Sequence, residues 1–293
     1  MTTPPTVSVI TITMKDLDGL KRTVESVQAQ RYAGRIEHIV IDGGSGTDVV
    51  DYLSRNSSLF AHWQTGQDAG RYDAMNQGMA RATGELLWFL HSADCFSDEE
   101  AVADVVGELS QHGQVHHLWG YGIEHRIAPD GSSAGFQGPI PFDMRKFLTL
   151  RGTIPHQAAF FGTSLVSRLG GYELDFAIAA DQLYMLRAAL LMVPVTIERV
   201  VANFDITGAG SVRSARENFQ DMRLIWDRVE RYPFASRRKS LIFMYCWEYV
   251  VRARLTVSRV FAGKHRAPHL QRGGNEHDLR LQEPRPPSRV SDG

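Results

Sequence analysis

The sequence predicts an α/β fold in which helices flank a mostly parallel sheet, with a small antiparallel element and helices towards the C-terminal end. Over roughly the first hundred residues, short β-branched runs alternate with amphipathic stretches, and this spacing is typical of right-handed βαβ units. Later, two strand patterns flank Pro129-Asp130-Gly131, and this turn predicts an antiparallel hairpin. The chain therefore combines a parallel core with a short antiparallel addition.

Four strands and their connecting helices are predicted in the first half of the chain. The strands are predicted at 7–12, 36–41, 59–64 and 86–90. The helices are predicted at 17–30 with Asp16 as N-cap, then through residue 54, at 72–82, and at 97–109 behind a capping box at Ser97. Ligands of such sheets bind beyond the carboxyl ends of the strands. Acidic residues follow three of these strands, namely Asp16 and Asp18, Asp42, and Asp94.

The second half alternates strands and helices less regularly. The predicted strands are 117–127, 134–140, 158–161 and 195–204, and the predicted helices are 177–190, 216–231 and 239–261. From Gly263 onward Gly, Pro, Arg and Gln dominate and apolar residues are few, which is typical of disorder. We therefore predict an α/β domain over 1–210, a helical extension over 211–262 and a disordered tail over 263–293.

Composition and charge argue against several classes of protein. The 293 residues are 43% hydrophobic, and the formal net charge of -1 argues against a general nucleic-acid binder, which is usually basic. Cys95 and Cys246 have no disulfide or zinc spacing, so a reducing compartment is expected. No secretory signal pattern is visible, and the longest apolar run, 241–247, is far shorter than the roughly 20 residues of a spanning helix. We expect a cytoplasmic protein or one peripheral on the inner face of the membrane.

The first predicted strand is followed by Thr13-Met14-Lys15-Asp16, where a dinucleotide-binding protein carries Gly-x-Gly-x-x-Gly. Those glycines let the backbone approach the pyrophosphate of the cofactor. Their absence argues against a dinucleotide-dependent oxidoreductase.

Six short segments follow one another in order between residues 7 and 205. They are Val7-Ser8-Val9-Ile10-Thr11-Ile12, Ile39-Val40-Ile41-Asp42-Gly43-Gly44-Ser45, Asp68-Ala69-Gly70-Arg71-Tyr72-Asp73-Ala74-Met75-Asn76-Gln77-Gly78, Trp88-Phe89-Leu90-His91-Ser92-Ala93-Asp94, Pro155-His156-Gln157 and Ala179-Ala180-Asp181-Gln182. In this order they resemble the family 2 glycosyltransferases, which have a GT-A, Rossmann-like fold. The resemblance implies an inverting transfer of sugar from a nucleoside-diphosphate sugar to a hydroxyl acceptor, such as a glycolipid or surface polysaccharide precursor.

In this family the aspartate at the position of Asp42 hydrogen-bonds the nucleotide base, and a carboxylate can accept from base N–H groups. The alternative is that Asp42 only caps the following turn or helix. The resemblance also implies that Thr13 and Asp16 or Asp18 lie against the nucleotide.

The segment 68–78 resembles a loop that folds over the donor in family members. There Asp68 and Arg71 would contact the donor, and Arg71 could neutralise diphosphate charge. Asp73 and Asn76 would face the nucleotide cleft one helical turn apart. The alternative is a solvated loop followed by an ordinary amphipathic helix.

Asp94 corresponds to the last carboxylate of the acidic motif that holds Mg²⁺ or Mn²⁺ against the diphosphate in GT-A enzymes. Here the motif reads His91-Ser92-Ala93-Asp94, so its first acid is replaced by histidine. His91 and Ser92 are expected beside the nucleotide sugar, and simple strand-end packing is the alternative for His91. One carboxylate is a weak metal site by itself, and the departure motivates a second hypothesis, a non-catalytic sugar-nucleotide-binding homologue.

The resemblance places the catalytic base at Asp181, near the start of a predicted helix. An inverting transfer needs one carboxylate to take the acceptor proton. A first-turn or N-cap role is the alternative, since carboxylates stabilise helix N-termini. His156 and Gln157 match a His-Gln pair on the acceptor or phosphate side of the cleft, although a lone histidine is more often structural.

The last predicted helix carries Arg237, Glu248, Arg252 and Arg259 on one narrow stripe and is apolar over most of its remaining surface. Such a helix packs against the α/β domain or a second copy, or it lies in a membrane interface. Membrane contact through 237–261 would suit a lipid-linked acceptor, with the basic residues at the helix start facing anionic headgroups.

Overall fold

One nine-stranded sheet forms the centre of the structure, a computed structural model that describes residues 3–176, 179–206 and 214–264, with side chains as far as residue 257. The strands are β1 Val7–Thr13, β2 Ile36–Asp42, β3 His62–Thr65, β4 Leu86–Phe89, β5 Cys95–Phe96, β6 Trp119–Ile127, β7 Ser133–Gln137, β8 Ala159–Gly162 and β9 Val195–Asp205. Their order across the sheet is β3-β2-β1-β4-β8-β6-β9-β5, with β7 paired to β6.

Nine α-helices accompany the sheet in the described part of the chain. They are α1 Leu17–Gln28, α2 Thr47–Arg55, α3 Arg71–Met79, α4 Ala101–His112, α5 Met144–Leu148, α6 Thr163–Leu169, α7 Ala180–Leu191, α8 Ala215–Val229 and α9 Arg237–Lys264. The predicted strands and helices are all present, with ends shifted by a few residues. Ala177 and Ile178, which were predicted to begin α7, lie outside the described residues.

The four strands β3, β2, β1 and β4 are parallel neighbours, as the βαβ pattern predicted. The register pairs Val7 with Ile36 and Thr13 with Asp42, so β1 and β2 begin and end together. Strand β8 then runs antiparallel to both β4 and β6, and the predicted hairpin is the antiparallel pair β6 and β7. The carboxyl ends of β1, β2 and β4 therefore meet at one edge of the sheet.

The predicted capping box at Ser97 is wrong. Helix α4 begins at Ala101 with no side-chain cap bond at its N-cap Glu100. The Ser97 hydroxyl instead donates to the Val200 carbonyl at 2.9 Å, next to the short strand β5 that pairs with β9. Ser97 therefore bonds to a residue about a hundred positions away in place of capping the local helix. The sequence-based predictions also omitted β5, α5 and α6.

Helix α8 packs against the same apolar core as the sheet and α7. Its buried residues are Phe219, Met222, Ile225 and Trp226, and the Trp226 indole donates to the Leu148 carbonyl at 3.0 Å. These contacts make α8 part of one compact unit that extends to Arg252. The boundary at residue 210 remains a prediction, and most of the predicted tail lies outside the described residues.

Two residues of the charged stripe of α9, Arg237 and Glu248, form ion pairs with α8. Glu248 is only 6% exposed and accepts from Arg223 of α8 at 2.8 Å, and Arg237 forms an ion pair with Asp227 at 2.6 Å. Met244 is fully buried, which matches the packing alternative for one side of the helix. The outer side is apolar, with Ile242 57%, Tyr245 58% and Tyr249 76% exposed. Among the described helices, none has the length and apolar character needed to cross a membrane.

Candidate active site

A cavity of about 630 Å³ opens where β1 and β4 end, between the start of α3 and the start of α7. The predicted site residues that line it are Thr13, Asp16, Asp68, Arg71, His91, Ser92, Asp94, His156, Gln157 and Asp181. Asp94 and Asp181, which are 87 positions apart in the chain (181 minus 94), thus border the same space. Parallel strands ending together and a helix that begins opposite them bring these groups to one place.

Three predicted site residues do not line this cavity, namely Asp42, Asp73 and Asn76, and neither does Asp18, the alternative to Asp16. Asp42 is 1% exposed, and its carboxylate accepts from the Ser45 amide at 3.1 Å and from the Thr65 hydroxyl at 2.6 Å. These contacts connect the turn after β2 to the end of β3. They match the alternative interpretation of Asp42, in which its carboxylate caps the following turn. A role in binding the base stays a prediction, because it needs this carboxylate to exchange its present partners.

Asp73 and Asn76 make contacts that hold the surrounding backbone. Asp73 accepts from the Ala69 amide at 3.0 Å and so closes the loop before α3. Asn76 donates to the Tyr172 carbonyl at 2.9 Å and accepts from the Tyr172 amide at 2.7 Å. Asn76 therefore attaches the Tyr172 segment to α3 through two backbone groups, which accounts for a polar residue at this position without a ligand.

Asp16 and Ser92 connect the ends of β1 and β4. The Asp16 carboxylate caps α1 by accepting from the Gly19 amide at 2.9 Å, as predicted, and it also accepts from the Ser92 hydroxyl at 2.8 Å. The Thr13 hydroxyl is buried with no hydrogen-bond partner among the described residues. The hydrogen bonds of Asp16 thus join the ends of β1 and β4 at this edge of the cavity, and the Thr13 hydroxyl there is available to a ligand.

The loop before α3 leads into a cationic group whose charge acts on His91 and His156. Asp68 accepts from the Gly70 amide at 2.8 Å, and Gly70 has φ +109°, a conformation that favours glycine. Arg71 follows as the first residue of α3 and lines the cavity. Its positive charge helps to lower the pKa of His91 and of His156.

His91 and His156 stack with ring centroids 5.6 Å apart. Burial lowers the pKa of His91 to about 3, and burial together with the neighbouring His91 and Arg71 holds the pKa of His156 well below its usual value. His156 Nε2 lies 2.8 Å from the Tyr172 hydroxyl, while His91 Nδ1 is buried without a partner in the described structure. Both rings are therefore neutral near pH 7 and can exchange hydrogen bonds but supply no positive charge.

Asp94 lies in a tight turn after β4. The Thr23 hydroxyl donates to the Asp94 carbonyl at 2.7 Å, and the preceding residue, Ala93, has a φ of +77°. The Asp94 carboxyl is 3% exposed and accepts from the Asp205 amide at 3.3 Å. Burial raises the pKa of Asp94 well above its usual value, and the nearby charge of Glu124 acts in the same direction.

The described side chains contain no group of three His, Cys, Asp or Glu residues placed to hold a metal ion. Magnesium sites in phosphate-binding enzymes need fewer protein ligands, because one or two carboxylates bind the ion together with the substrate phosphates and water. Asp94 borders the cavity and offers one such carboxylate. The described residues therefore fit an ion shared with a diphosphate, and among them no closed metal site is formed.

Asp181 lies in the first turn of α7 and accepts from the Gln182 amide at 2.7 Å and from the Tyr72 hydroxyl at 3.3 Å. Burial raises its pKa above the usual 3.8, although these hydrogen bonds and the charge of Arg71 oppose the shift. The carboxylate is thus attached to α3 through Tyr72 and faces the cavity. A carboxylate with a raised pKa is a stronger proton acceptor than an ordinary aspartate.

Several cavity residues were not predicted, and Glu124, Arg126, Gln182 and Asp205 are among them. Glu124 and Arg126 lie on β6 and Asp205 ends β9, in the part of the sheet where strands of both directions meet. Gln182 follows a predicted site residue, which was the one available signal. The others lie in strand patterns whose neighbours cannot be inferred without the topology.

Glu124 gives a prediction about stability. It is 3% exposed, and burial raises its pKa from 4.5 to about 7. A raised carboxyl pKa means that the folded state binds the proton more tightly, so the folded state loses stability as pH rises from 4.5 through 7. At about 1.36 kcal/mol per pKa unit, the cost above pH 7 is about 3 kcal/mol.

Glu124→Gln is therefore expected to increase the free energy of unfolding near pH 8 by up to about 3 kcal/mol, with a difference that shrinks as pH falls towards 5. Urea denaturation at both pH values measures this. Glu108→Gln on the exposed side of α4 is the matched control and should change stability little at either pH. An equal effect of Glu124→Gln at both pH values would show that Glu124 does not titrate in this range.

Sequence comparison identifies the class of protein to which this fold and cavity belong. Residues 8–162, more than half of the chain, match the family model described as Glycosyl transferase family 2. The chain belongs to this family, as the six segments predicted. Its mixed α/β architecture, with a mainly parallel sheet flanked by helices, is similar to that of GT-A glycosyltransferases.

Two relatives and two solved structures show the range of the similarity. A Mycobacterium tuberculosis protein named "Uncharacterized glycosyltransferase" is 58% identical over 83% of this chain and 92% of its own length. A Mycobacterium bovis "PGL/p-HBAD biosynthesis glycosyltransferase" is 26% identical over 89% of this chain and 98% of its own. The mannosyltransferase PcManGT from Pyrobaculum calidifontis, in complex with GDP-Man and Mn²⁺, has a TM-score of 0.61 at 17% identity, covering 89% of this chain and 76% of its own. S. aureus TarS 1-349, in complex with UDP-GlcNAc, has a TM-score of 0.54 at 17% identity, covering 75% and 65%.

Proposed function

We propose that this glycosyltransferase moves a sugar from a nucleoside-diphosphate sugar to a hydroxyl acceptor with inversion at the anomeric carbon, and that the acceptor is a glycolipid or surface polysaccharide precursor. The observation that carries the proposal is that Asp94 and Asp181 border one cavity. An inverting transfer needs a leaving-group site and a proton acceptor on opposite sides of the same sugar carbon. The M. bovis relative, named for PGL/p-HBAD biosynthesis, supports the acceptor class.

In the proposed reaction Asp181 is the base. Its carboxylate takes the proton of the acceptor hydroxyl as that oxygen forms a bond to the anomeric carbon. The bond from the anomeric carbon to the diphosphate oxygen breaks, and the nucleoside diphosphate leaves with the electron pair. Tyr72 and the Gln182 amide hold the carboxylate in place through the hydrogen bonds described above.

Other residues of the cavity lining are proposed to hold the donor. Thr13, Asp16 and Ser92 would contact the nucleotide sugar at the ends of β1 and β4, and Arg71 would neutralise diphosphate charge from the start of α3. Neutral His91 and His156 would exchange hydrogen bonds with donor or acceptor oxygens, with Gln157 beside them. Asp68, which lines the cavity, is also proposed to contact the donor. Asp42, Asp73 and Asn76 do not line it, so their proposed donor contacts require these side chains to exchange their present partners.

Asp94 is proposed to hold Mg²⁺ or Mn²⁺ together with the donor diphosphate. Such an ion would stabilise the negative charge of the leaving group. Mn²⁺ accompanies GDP-Man in PcManGT, which supports the same role here. The many carboxylates around the cavity, including Asp16, Glu124 and Asp205, also favour a cation between them and a bound diphosphate.

A thermal-shift panel of sugar nucleotides, each with and without Mn²⁺, tests the proposal. We expect at least one donor to raise the melting temperature more with Mn²⁺ than without it, because a ligand that binds only the folded state stabilises it. Failure of UDP-, dTDP- and GDP-sugars to stabilise the protein in either condition would contradict the proposal. Binding without any transfer to acceptor or water would favour the non-catalytic homologue.

We also propose that the enzyme acts in the cytoplasm and contacts the membrane peripherally through residues 237–261. The exposed apolar residues Ile242, Tyr245 and Tyr249 support this, since aromatic side chains favour the membrane interface. Cosedimentation with anionic vesicles is the test, and Tyr249→Ser should weaken it. Equal cosedimentation of the two proteins would count against contact through this face.

A further inference from the structure

A second cavity, of about 390 Å³, adjoins the first beneath the N-terminal half of α8. Gln137, Asp181 and Gln182 line both cavities. The proposed base therefore stands at the boundary between the two spaces. A ligand whose hydroxyl reaches Asp181 could place its remaining atoms in the second cavity while the first holds another molecule.

The floor of the second cavity is apolar. Phe219, Met222 and Ile225 lie three positions apart on α8, and they are 3%, 1% and 1% exposed. Leu150 and Val251 add apolar surface from the end of α5 and from α9. Thr153, Asn218 and Asp221 are polar residues elsewhere in the lining. On the floor itself a hydroxylated sugar ring would lose hydrogen bonds to water with no partner among these apolar side chains, whereas an alkyl or aryl group would gain from burial.

Polar groups stand where the two cavities meet. The Gln182 side chain donates to the Ile154 carbonyl at 3.3 Å, and its Oε1 is buried with no hydrogen-bond partner among the described residues. A buried acceptor without a donor is uncommon in native proteins and needs an explanation, such as a catalytic role or a partner supplied from outside the chain. Gln182 Oε1 could accept from a ligand hydroxyl next to Asp181.

We infer that the second cavity binds an apolar group, alkyl or aryl, that the acceptor carries close to its reacting hydroxyl. The inference rests on the proposed function, because it takes Asp181 as the base that the hydroxyl must reach. The volume lies within the range of about 300 to 1,000 Å³ found for small-molecule sites. The acceptor thus combines a hydroxyl at Asp181 and Gln182 with an apolar group on Phe219, Met222 and Ile225.

Calorimetric binding of phenyl β-D-glucoside and methyl β-D-glucoside to the full chain tests the inference, since the two probes differ only in the apolar group. We expect phenyl β-D-glucoside to bind at least about tenfold more tightly, as burial of one aromatic ring allows. Ala215→Leu adds apolar bulk at the partly exposed start of α8, where it lines the second cavity, and should remove that difference. Asn218→Trp narrows the same cavity from an exposed position and serves if Ala215→Leu folds poorly. Gln220→Leu, on the exposed side of α8 and outside this cavity, is the matched control and should leave the difference intact.

Binding of the stabilising sugar nucleotide is measured on the same samples, which separates the two proposals. Equal affinities for the two glucosides, no binding of phenyl β-D-glucoside, or an undiminished preference in both cavity variants would overturn the apolar-acceptor inference while nucleotide binding persists. If the wild-type chain does not bind any sugar nucleotide, the result counts against the proposed function instead. The combination expected here is a preference for phenyl β-D-glucoside that the cavity variants lose, with nucleotide affinity unchanged in all four proteins.

Discussion

Asp181→Asn is expected to lower the rate of sugar transfer by about 10³-fold, within the range that removal of a general base produces. Asparagine has nearly the same shape and can still accept from Tyr72 and the Gln182 amide, so the start of α7 should keep its geometry. What it cannot do is take a proton from the acceptor hydroxyl. The loss should therefore appear in kcat, while the affinity for the sugar nucleotide stays within about twofold.

The pH dependence of the wild-type enzyme gives a second measure of the same residue. Asp181 must be ionised to act as a base, and its pKa is raised above 3.8 by burial. Activity should therefore be fully present above this raised pKa and decline as pH falls through it, at higher pH than an ordinary aspartate would require. The acidic limb of kcat/KM should disappear from the residual activity of Asp181→Asn.

Asp51→Asn is the matched control for this experiment. Asp51 makes an exposed ion pair with Arg55 on α2, away from the cavity, and its replacement should leave both kcat and the pH profile unchanged. If Asp181→Asn retained more than about a tenth of wild-type kcat, the proton would have to leave by another route. Glu124, a cavity carboxyl whose pKa burial raises to about 7, would then be the next candidate.

The parts of the fold that follow from local pattern were predictable. Runs such as Val7–Thr13 are buried on both faces and are almost continuously apolar or β-branched, so strand positions and their parallel order could be inferred from sequence. That order alone predicts Asp16 and Asp94 at one edge of the sheet. Resemblance to a family, rather than periodicity, contributed Asp181, because nothing in a helix-start carboxylate distinguishes a base from a cap.

The parts that depend on distant pairing were not predictable. Strand β5 has two residues and exists because Cys95 and Phe96 pair with Asn203 and Ala202 of β9. Glu124 lies in a strand whose neighbours on both sides come from later in the chain, and only that pairing brings it near Asp94. The same reason explains Ser97, whose hydroxyl found a partner on β9 in place of the local cap.

The sequence around Asp42 is compatible with two different roles for its carboxylate. Its position after a buried strand supports both a contact with the nucleotide base and a turn cap. The carboxylate accepts from Ser45 and Thr65, which is the contact pattern of a cap. The same two hydroxyl residues could release it when a base N–H approaches. Local sequence could not choose between these roles, since both require an acceptor at the same strand end.

Asp94→Asn should have the second large effect, a loss of transfer of at least about 10²-fold together with loss of the extra stabilisation that Mn²⁺ gives to the bound sugar nucleotide. Asparagine can still accept from the Asp205 amide, and it removes a carboxylate that burial disfavours in its charged form, so the fold should be as stable as the wild type. Thermal shifts with the nucleotide alone should be close to those of the wild type, because the proposed diphosphate contacts of Arg71 and of the α3 N-terminus do not involve Asp94.

The matched control is Asp98→Asn, a partly exposed aspartate that pairs with Arg199 outside the cavity and should leave the Mn²⁺ effect unchanged. Since the first acid of the metal motif is replaced by His91, whose burial keeps it neutral, Asp94 has no second carboxylate in that motif to take over its role. A variant that kept the full Mn²⁺ effect would place the ion elsewhere among the cavity carboxylates. A variant that lost transfer but bound the nucleotide with Mn²⁺ as before would instead give Asp94 a part in orienting the sugar, because only the reacting geometry would then have changed.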